Sequence, residues 1–279
     1  MDAHSIETYR QTGVLFPLEG LSPDRTEHYR AALTQDCAQI QRPMTETGMR
    51  QPATRVKPYL LFPWAADLIR EPTILNAVAA IIGEDIMVFH TTIWWKPAGS
   101  EGRVPWHQDA TYFGLTPHEH VTAWIALTDS TQASGCVRVL PGSHHQGQRP
   151  HRDHQHPAIM LSRGQSIADT IDETAAIPIE LRAGQFSLHD TLTLHASAPN
   201  HALWDRIGVG ISYIPTRVRH IGETRLSATL VHGTDHHHNF DHEPRPTHSL
   251  HPEALAAHEH SIARFWRASE AIPEMALVH

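Results

Sequence analysis

From Ile86 onward the chain is written in short runs of β-branched and aromatic residues, broken at close intervals by Pro and Gly. This texture limits the possible folds more than any other feature. The runs Ile86–Lys96, Val121–Thr128, Val137–Leu140, Ile177–Leu181 and Ile207–Ile214 read as strands, and several short strands separated by turns predict a sandwich or barrel. The residues before Gly83 read differently. Ser5 to Gly13 predicts a short helix. Ser22-Pro23-Asp24 starts a second one: Ser caps, Pro takes the first position and Asp faces the positive end of the dipole. Tyr29, Ala32, Leu33 and Ile40 carry it to about residue 41, and residues 42–54 read as loop. After Pro72, the stripe Ile74, Leu75, Val78, Ile81 and Ile82 predicts a helix closed by Gly83. Residues 145–170 form a long polar, His-rich insertion, and residues 252–270 predict a last helix starting at Pro252. No repeat or linker divides the chain. One domain is expected over 1–279, with a helical part about 1–83, a barrel about 84–235 and a C-terminal tail and helix about 236–279.

Charge narrows the function. Twenty-two Lys and Arg against 30 Asp and Glu leave −8, which argues against a nucleic-acid partner. The longest apolar stretch, Ile74 to Ile82, is interrupted by Asn76 and is far below the ~18 residues of a spanning helix, so no membrane partner is expected. Met1 to Glu7 has neither a basic nor an apolar leader region, and Cys37 and Cys136 are too isolated for a disulfide framework or a thiolate zinc site; a cytoplasmic protein is expected. Histidine, at 25, outnumbers Lys plus Arg. Most of these imidazoles read as solvated: His236-His237-His238 with His232 and His242 suits adventitious cation binding, while His118-Glu119-His120 and His258-Glu259-His260 read as solvated turns or helix faces.

Trp106-His107-Gln108-Asp109 places an imidazole and a carboxylate at i and i+2. In an extended segment both point to one side. A second His from a later strand would complete the two-His, one-carboxylate set of non-haem Fe(II) oxygenases. The string alone is not decisive, since His151-Arg152-Asp153 repeats it.

Its surroundings are more specific. Pro105 to Leu115, Thr122-Ala123-Trp124-Ile125-Ala126-Leu127, Ser134-Gly135-Cys136, Leu140-Pro141-Gly142-Ser143-His144, Ala183-Gly184-Gln185, Leu194-His195-Ala196-Ser197-Ala198-Pro199-Asn200 and Arg206 together resemble the phytanoyl-CoA dioxygenase family of Fe(II)- and 2-oxoglutarate-dependent oxygenases. The resemblance runs over roughly residues 5–245. It implies a mainly β fold, a double-stranded β-helix (a jelly-roll, cupin-like barrel), with N-terminal helices packed outside. It also implies Fe(II) as cofactor, with 2-oxoglutarate and O2 as co-substrates. The family's iron ligands fall on His107, Asp109 and His195. His189 shares strand parity with His195 and is its rival, but the Ser-x-Pro-Asn string and Arg206 both follow His195. Arg206 suits the distal carboxylate of 2-oxoglutarate, which needs a permanently charged two-pronged donor. The same resemblance places Ser197, Trp124 and Thr92 beside the co-substrate, with Lys57 in reach. A carboxylate at 109, where related halogenases carry a small residue, implies hydroxylation.

His90, Trp94, Gln108, Tyr112, Phe113 and Arg138, near the metal motif in sequence, and His189 are candidate substrate-pocket walls. The run Trp106 to Leu115 with Leu161-Ser162-Arg163-Gly164-Gln165 is similar to a bacterial branch of the family acting on small polar metabolites, aminophosphonates among them, and on specialised-metabolite intermediates. Acidity gives no support for a CoA ester, whose phosphates favour a basic rim. A small-molecule substrate is therefore expected. Two rival classes stay open here: a non-catalytic ligand-binding barrel, and a metal-dependent cupin-type enzyme with no keto acid. The set His107, Asp109, His195 and Arg206 argues against the first, since a binder has no need for all four, and Arg206 with Ser197 argues against the second, because that pair has a purpose only when a second carboxylate must be held.

Overall fold

The alternating pattern of the strands builds two sheets that face each other. In the computed structural model, residues 1–40, 53–154 and 156–271 are described; 42–52 of the expected loop lie outside them. Helix α1 (Ala3–Thr12) leads into strand β1 (Val14–Glu19), followed by α2 (Pro23–Ile40), α3 (Pro63–Leu68) and α4 (Pro72–Ile82). Then come β2 (Ile86–Lys96), β3 (Val104–His107), the single turn α5 (Ala110–Phe113), β4 (Leu115–Thr116), β5 (Val121–Ala126) and β6 (Val137–Val139). Among its described residues the insertion contributes β7 (His151–Arg152) and β8 (Ser166–Ile167) as strands. Strands β9 (Ile177–Ile179), β10 (Gln185–Asp190), β11 (His195–Ser197), β12 (Arg206–Pro215), β13 (Arg219–His220), β14 (Ser227–His232) and β15 (Asp241–His242) precede helix α6 (Pro252–Ala271).

The major sheet has the order β1-β10-β5-β12-β2-β14-β15 and the minor sheet β3-β11-β6-β9. This two-sheet sandwich, antiparallel except at the β14–β15 edge, is the expected jelly roll. Side chains alternate across the major sheet. Ile93, Ala123, Ile125, Val209, Ile211 and Tyr213 form one core with Tyr29 and Leu33 of α2 and with Ile74, Leu75 and Val78 of α4, so the helices cover the outer face. The opposite parity, His90, Thr92 and Trp94 on β2, Thr122 and Trp124 on β5, and Arg206, Gly210 and Ser212 on β12, turns inward and lines a cavity of ≈ 1430 Å³ between the sheets.

Two glycines make this interior possible. A Cβ on Gly208 would lie 2.2 Å from the Trp124 ring, so only glycine lets that indole lie flat on the sheet. Gly135 has φ +67° and a Cβ there would meet the Ala198 carbonyl at 2.2 Å. β1, β3, β10, β11 and β14 carry no strong run of their own in the sequence. They are strands because they pair with neighbours, β10 along its whole length between β1 and β5.

Candidate metal centre

β3 and β11 pair so that the Cα atoms of His107 and His195 are direct partners. Residues 88 apart in the chain are thereby set ring to ring, centroids 4.1 Å apart. Each ring is oriented by backbone two residues upstream. His107 Nδ1 meets the Pro105 carbonyl at 2.9 Å, and His195 Nδ1 meets the Thr193 carbonyl at 2.9 Å. These contacts fix the proton on Nδ1 and leave each Nε2 with a free lone pair. Asp109, two residues past β3, brings Oδ1 to 3.7 Å from His107 Nε2 and 3.8 Å from His195 Nε2. Those separations are too long for hydrogen bonds and match the span of two ligand bonds of about 2.0–2.2 Å meeting at one ion. One donor atom from each of the three lies within 4.8 Å of the others, the one such group among the described residues.

The electrostatics suit a divalent cation. Burial holds His107 below its usual range and His195 well below it, outweighing the Asp109 carboxylate that pulls both upward, so both imidazoles are neutral. Burial alone would raise the Asp109 carboxyl; His189, His195 and His107 around it outweigh that and hold it well below the usual range. Two neutral nitrogens and one carboxylate on one side of a point leave the other side open to the cavity. Asp109 Oδ2 accepts from Thr122 Oγ1 at 2.8 Å, and Thr122 in turn meets His120, which meets Thr191 at 2.9 Å. His120 is therefore buried and supports the carboxylate. It is not the solvated turn residue expected, because β5 begins one residue later and draws it inside. His151 closes the other flank by accepting the Gln108 N–H at 3.0 Å.

His189 is 2% exposed and lines the cavity. Its Nε2 lies 3.6 Å from Asp109 Oδ2, the oxygen turned away from the two ligand-spaced imidazoles, and neither ring nitrogen has a hydrogen-bond partner. It stands beside the three-residue group without joining it.

Arg206 begins β12 and is 1% exposed. It donates to the Gly135 carbonyl at 3.0 Å, its guanidinium carbon lies 5.1 Å from the Trp124 ring centroid, and its Nε has no partner. Burial pushes its pKa down to about 10, so it remains charged near neutrality. Its Cα partner across β2 is Lys96, which is fully buried. The Lys96 ammonium donates to Ser197 Oγ at 2.7 Å and to the Ala198 carbonyl. Burial, then the charge of Arg206, push the Lys96 pKa down to about 6. Among the described residues neither cation has a carboxylate in ion-pair range.

Thr92, Trp124, Ser197 and Arg206 all line the cavity, as do His90, Trp94, Tyr112 and Phe113. Four other expectations need correction. Lys57 turns away: its ammonium sits 2.6 Å from Glu243 Oε1 and 3.0 Å from Ser261 Oγ, in a buried pair that ties β2's flank to α6. From that segment Arg55 and Val56 line the cavity, and Arg55 is the cation among them. Gln108 is fully buried but spans the carbonyls of Gly147 and Leu192, stapling the loop behind the metal motif. Arg138 points outward, over the Trp106 ring and onto Glu173 at 2.7 Å. His258 is buried as well, meeting the Val56 carbonyl at 2.8 Å, and is no solvated helix residue. Lys96 is a further residue of the site that the sequence signals only through its parity with His90, Thr92 and Trp94 on one strand. Nothing local marked Arg55.

No helix among the described residues is long and apolar enough to cross a membrane. Among relatives, a probable alpha-ketoglutarate-dependent hypophosphite dioxygenase from Stutzerimonas stutzeri is 30% identical over 157 residues, a match spanning only about half of either protein (56% of this chain, 54% of the relative). An ectoine dioxygenase from Bordetella parapertussis is 25% identical over 234 residues, 76% of this chain and 75% of that protein. Among solved structures, the non-heme monooxygenase ThoJ in its apo form superposes with a TM-score of 0.81 at 32% identity, covering 95% of this chain and 97% of that one. CytC3 with Fe(II) and alpha-ketoglutarate, at 19% identity and a TM-score of 0.65, shares the fold. The family model for phytanoyl-CoA dioxygenase (PhyH) matches residues 9–208, and with the motifs, the jelly roll and the His107, Asp109, His195 group in agreement, the chain belongs to the phytanoyl-CoA dioxygenase family.

Proposed function

We propose that the protein is an Fe(II)- and 2-oxoglutarate-dependent dioxygenase. It hydroxylates an unactivated C–H of a small metabolite, a natural-product intermediate or an aminophosphonate-like compound, while 2-oxoglutarate and O2 become succinate and CO2. The observation that carries this reading is a buried site with two poles. The Nε2 atoms of His107 and His195 converge with the Asp109 carboxylate at one end, and Arg206 stands at the other with no anion among the described residues.

His107, Asp109 and His195 would hold the iron, which when bound couples O2 reduction to decarboxylation of the keto acid and delivers the oxidising power for C–H cleavage. Thr122, His120 and the Pro105 and Thr193 carbonyls hold those three donors in place. Arg206 binds the distal carboxylate and so fixes the length and orientation of the diacid. Lys96 donates to the Ser197 oxygen, which leaves the Ser197 hydroxyl proton free to point at the same carboxylate. Trp124 and Thr92 wall the diacid. The helical part, the barrel and the C-terminal helix serve as one domain around this single site. The enzyme belongs with cytoplasmic catalysts of small-molecule chemistry.

The cupin-type alternative gives Arg206 nothing to bind, and a non-catalytic barrel gives the metal donors no purpose. Anaerobic addition of Fe(II) and 2-oxoglutarate is expected to give a weak visible charge-transfer band, and air then gives succinate. Absence of both sinks the proposal.

A further inference from the structure

Two guanidiniums line the cavity with no carboxylate partner among the described residues. Arg206 is one, and the diacid accounts for it. Arg55 is the other. The third cavity arginine, Arg163, is already paired, donating to both oxygens of Asp153. Arg55 is placed by the bridge between Val56 and Thr92, which lays its segment along the edge of β2. Its guanidinium carbon lies 4.5 Å from the Trp94 ring centroid, one terminal nitrogen donates to the Met160 carbonyl at 3.1 Å, and its buried Nε has no partner. Burial pushes its pKa down to about 9, so it is still a cation near neutrality. A stacked, half-buried cation that lines a cavity and keeps one N–H unpartnered is an oxyanion receptor waiting for its ligand.

Around it the walls are aromatic and weakly polar. Tyr112 bonds Ser162 at 2.7 Å, and His90 and Trp266 face the same space. Asp109 belongs to the metal and Asp153 to Arg163, so no free acid competes for Arg55. We propose that the substrate carries an oxyanion, a carboxylate, phosphonate, phosphate or sulfonate, that docks on Arg55 over the Trp94 ring. This rests on the oxygenase reading and deepens it by naming the substrate class. The same chemistry has a second source, the chelating end of 2-oxoglutarate, and the test separates the two.

Protein loaded with redox-inert Ni(II) is titrated first with 2-oxoglutarate. At saturation it is titrated with phenylphosphonate, and separately with the neutral diethyl ester of phenylphosphonate. Both titrations follow tryptophan fluorescence, to which Trp94 contributes, and calorimetric heat. The expected result is phosphonate binding without ester binding in the wild type. The affinity falls tenfold or more in Arg55→Gln and no more than about threefold in Arg55→Lys, while 2-oxoglutarate affinity stays within about threefold in all. Should Arg55→Gln not fold, Arg55→Lys and the phosphonate/ester comparison carry the test. Equal phosphonate affinity in wild type and Arg55→Gln, no phosphonate binding, or equal binding of the ester each overturns the inference. So does loss of 2-oxoglutarate binding in Arg55→Gln, which assigns Arg55 to the co-substrate and leaves the oxygenase reading standing. Failure of the wild type to bind 2-oxoglutarate at all sinks that reading instead.

Discussion

Lys96 makes the co-substrate site a proton-coupled one, and the size of the effect follows from its surroundings. With a pKa pushed down to about 6, roughly a tenth of the chains carry a proton on Lys96 at pH 7 in the empty site. The ammonium lies 2.7 Å from Ser197 Oγ, so a carboxylate accepting from that hydroxyl sits about 5 Å from Nζ. At an effective dielectric near 20 this attraction is worth about 3 kcal/mol, or about two pKa units, which lifts Lys96 to about 8. Binding at pH 7 therefore takes up about 0.8 proton, while at pH 5 the lysine is already charged and uptake falls to about a tenth. The sign follows: the bound form holds more protons, so 2-oxoglutarate affinity weakens as pH rises between about 6 and 8. The groups facing Lys96 are Arg206, which keeps its charge throughout, and Cys136, whose thiol burial pushes up to about 11, so neither titrates in this window. The assay is calorimetric titration of 2-oxoglutarate into Mn(II)-loaded protein in phosphate and in Tris at one pH. The difference in heat reports proton uptake, and the metal keeps His107 and His195 out of the count. Lys96→Met should abolish the uptake and flatten the affinity profile. Wild-type uptake below about 0.2 proton at pH 7, or the same uptake in Lys96→Met, refutes the reasoning.

Asp109→Ala should cost more metal affinity than the ~10–100-fold usual for losing an outer partner, with succinate formation lost, measured by metal titration and coupled assay. Breaking the buried Lys57–Glu243 pair by Lys57→Met should destabilise by about 3–5 kcal/mol in urea unfolding, because it strands a buried carboxylate that only the hydroxyls of Tyr59, Ser227, Thr229 and Ser261 are left to satisfy. Burial alone would raise Glu243, but Lys57 and those hydroxyls hold it below its usual range. Its stabilisation is therefore present above the unfolded carboxyl pKa of about 4.3 and is lost as pH falls through the lower folded value; Glu243→Gln should flatten that acid limb of stability against pH. Gly208→Ala drives a methyl into the Trp124 ring and should cost about 1–3 kcal/mol of stability and weaken 2-oxoglutarate binding, read by thermal unfolding and fluorescence titration.

Local pattern and tertiary context divide cleanly along the chain. Helix α4 was readable from its apolar stripe and Gly83, and β2 ends where its run ends, because a strand of β-branched and aromatic residues carries its own instructions. Strands β1, β3 and β11 were not readable. Val104–His107 and His195–Ser197 hold no strong alternation and become strands only by pairing with each other and with β6. The site shows the same split. His-x-Asp at strand spacing announces a candidate ion site, and Arg206 is a cation of the right type. The fate of Lys57 and Arg55 was decided by the fold, since one bridge at Val56 sets which of the two side chains enters the cavity.

The class of chemistry is written in the residues, because side-chain identity at a few positions fixes which donors and charges exist at all. Folding settles which of 25 histidines share a centre, which cations stand without anions and which side chain meets a ligand. Those are matters of distance and burial, and both arise when two sheets close on each other and water leaves the space between them.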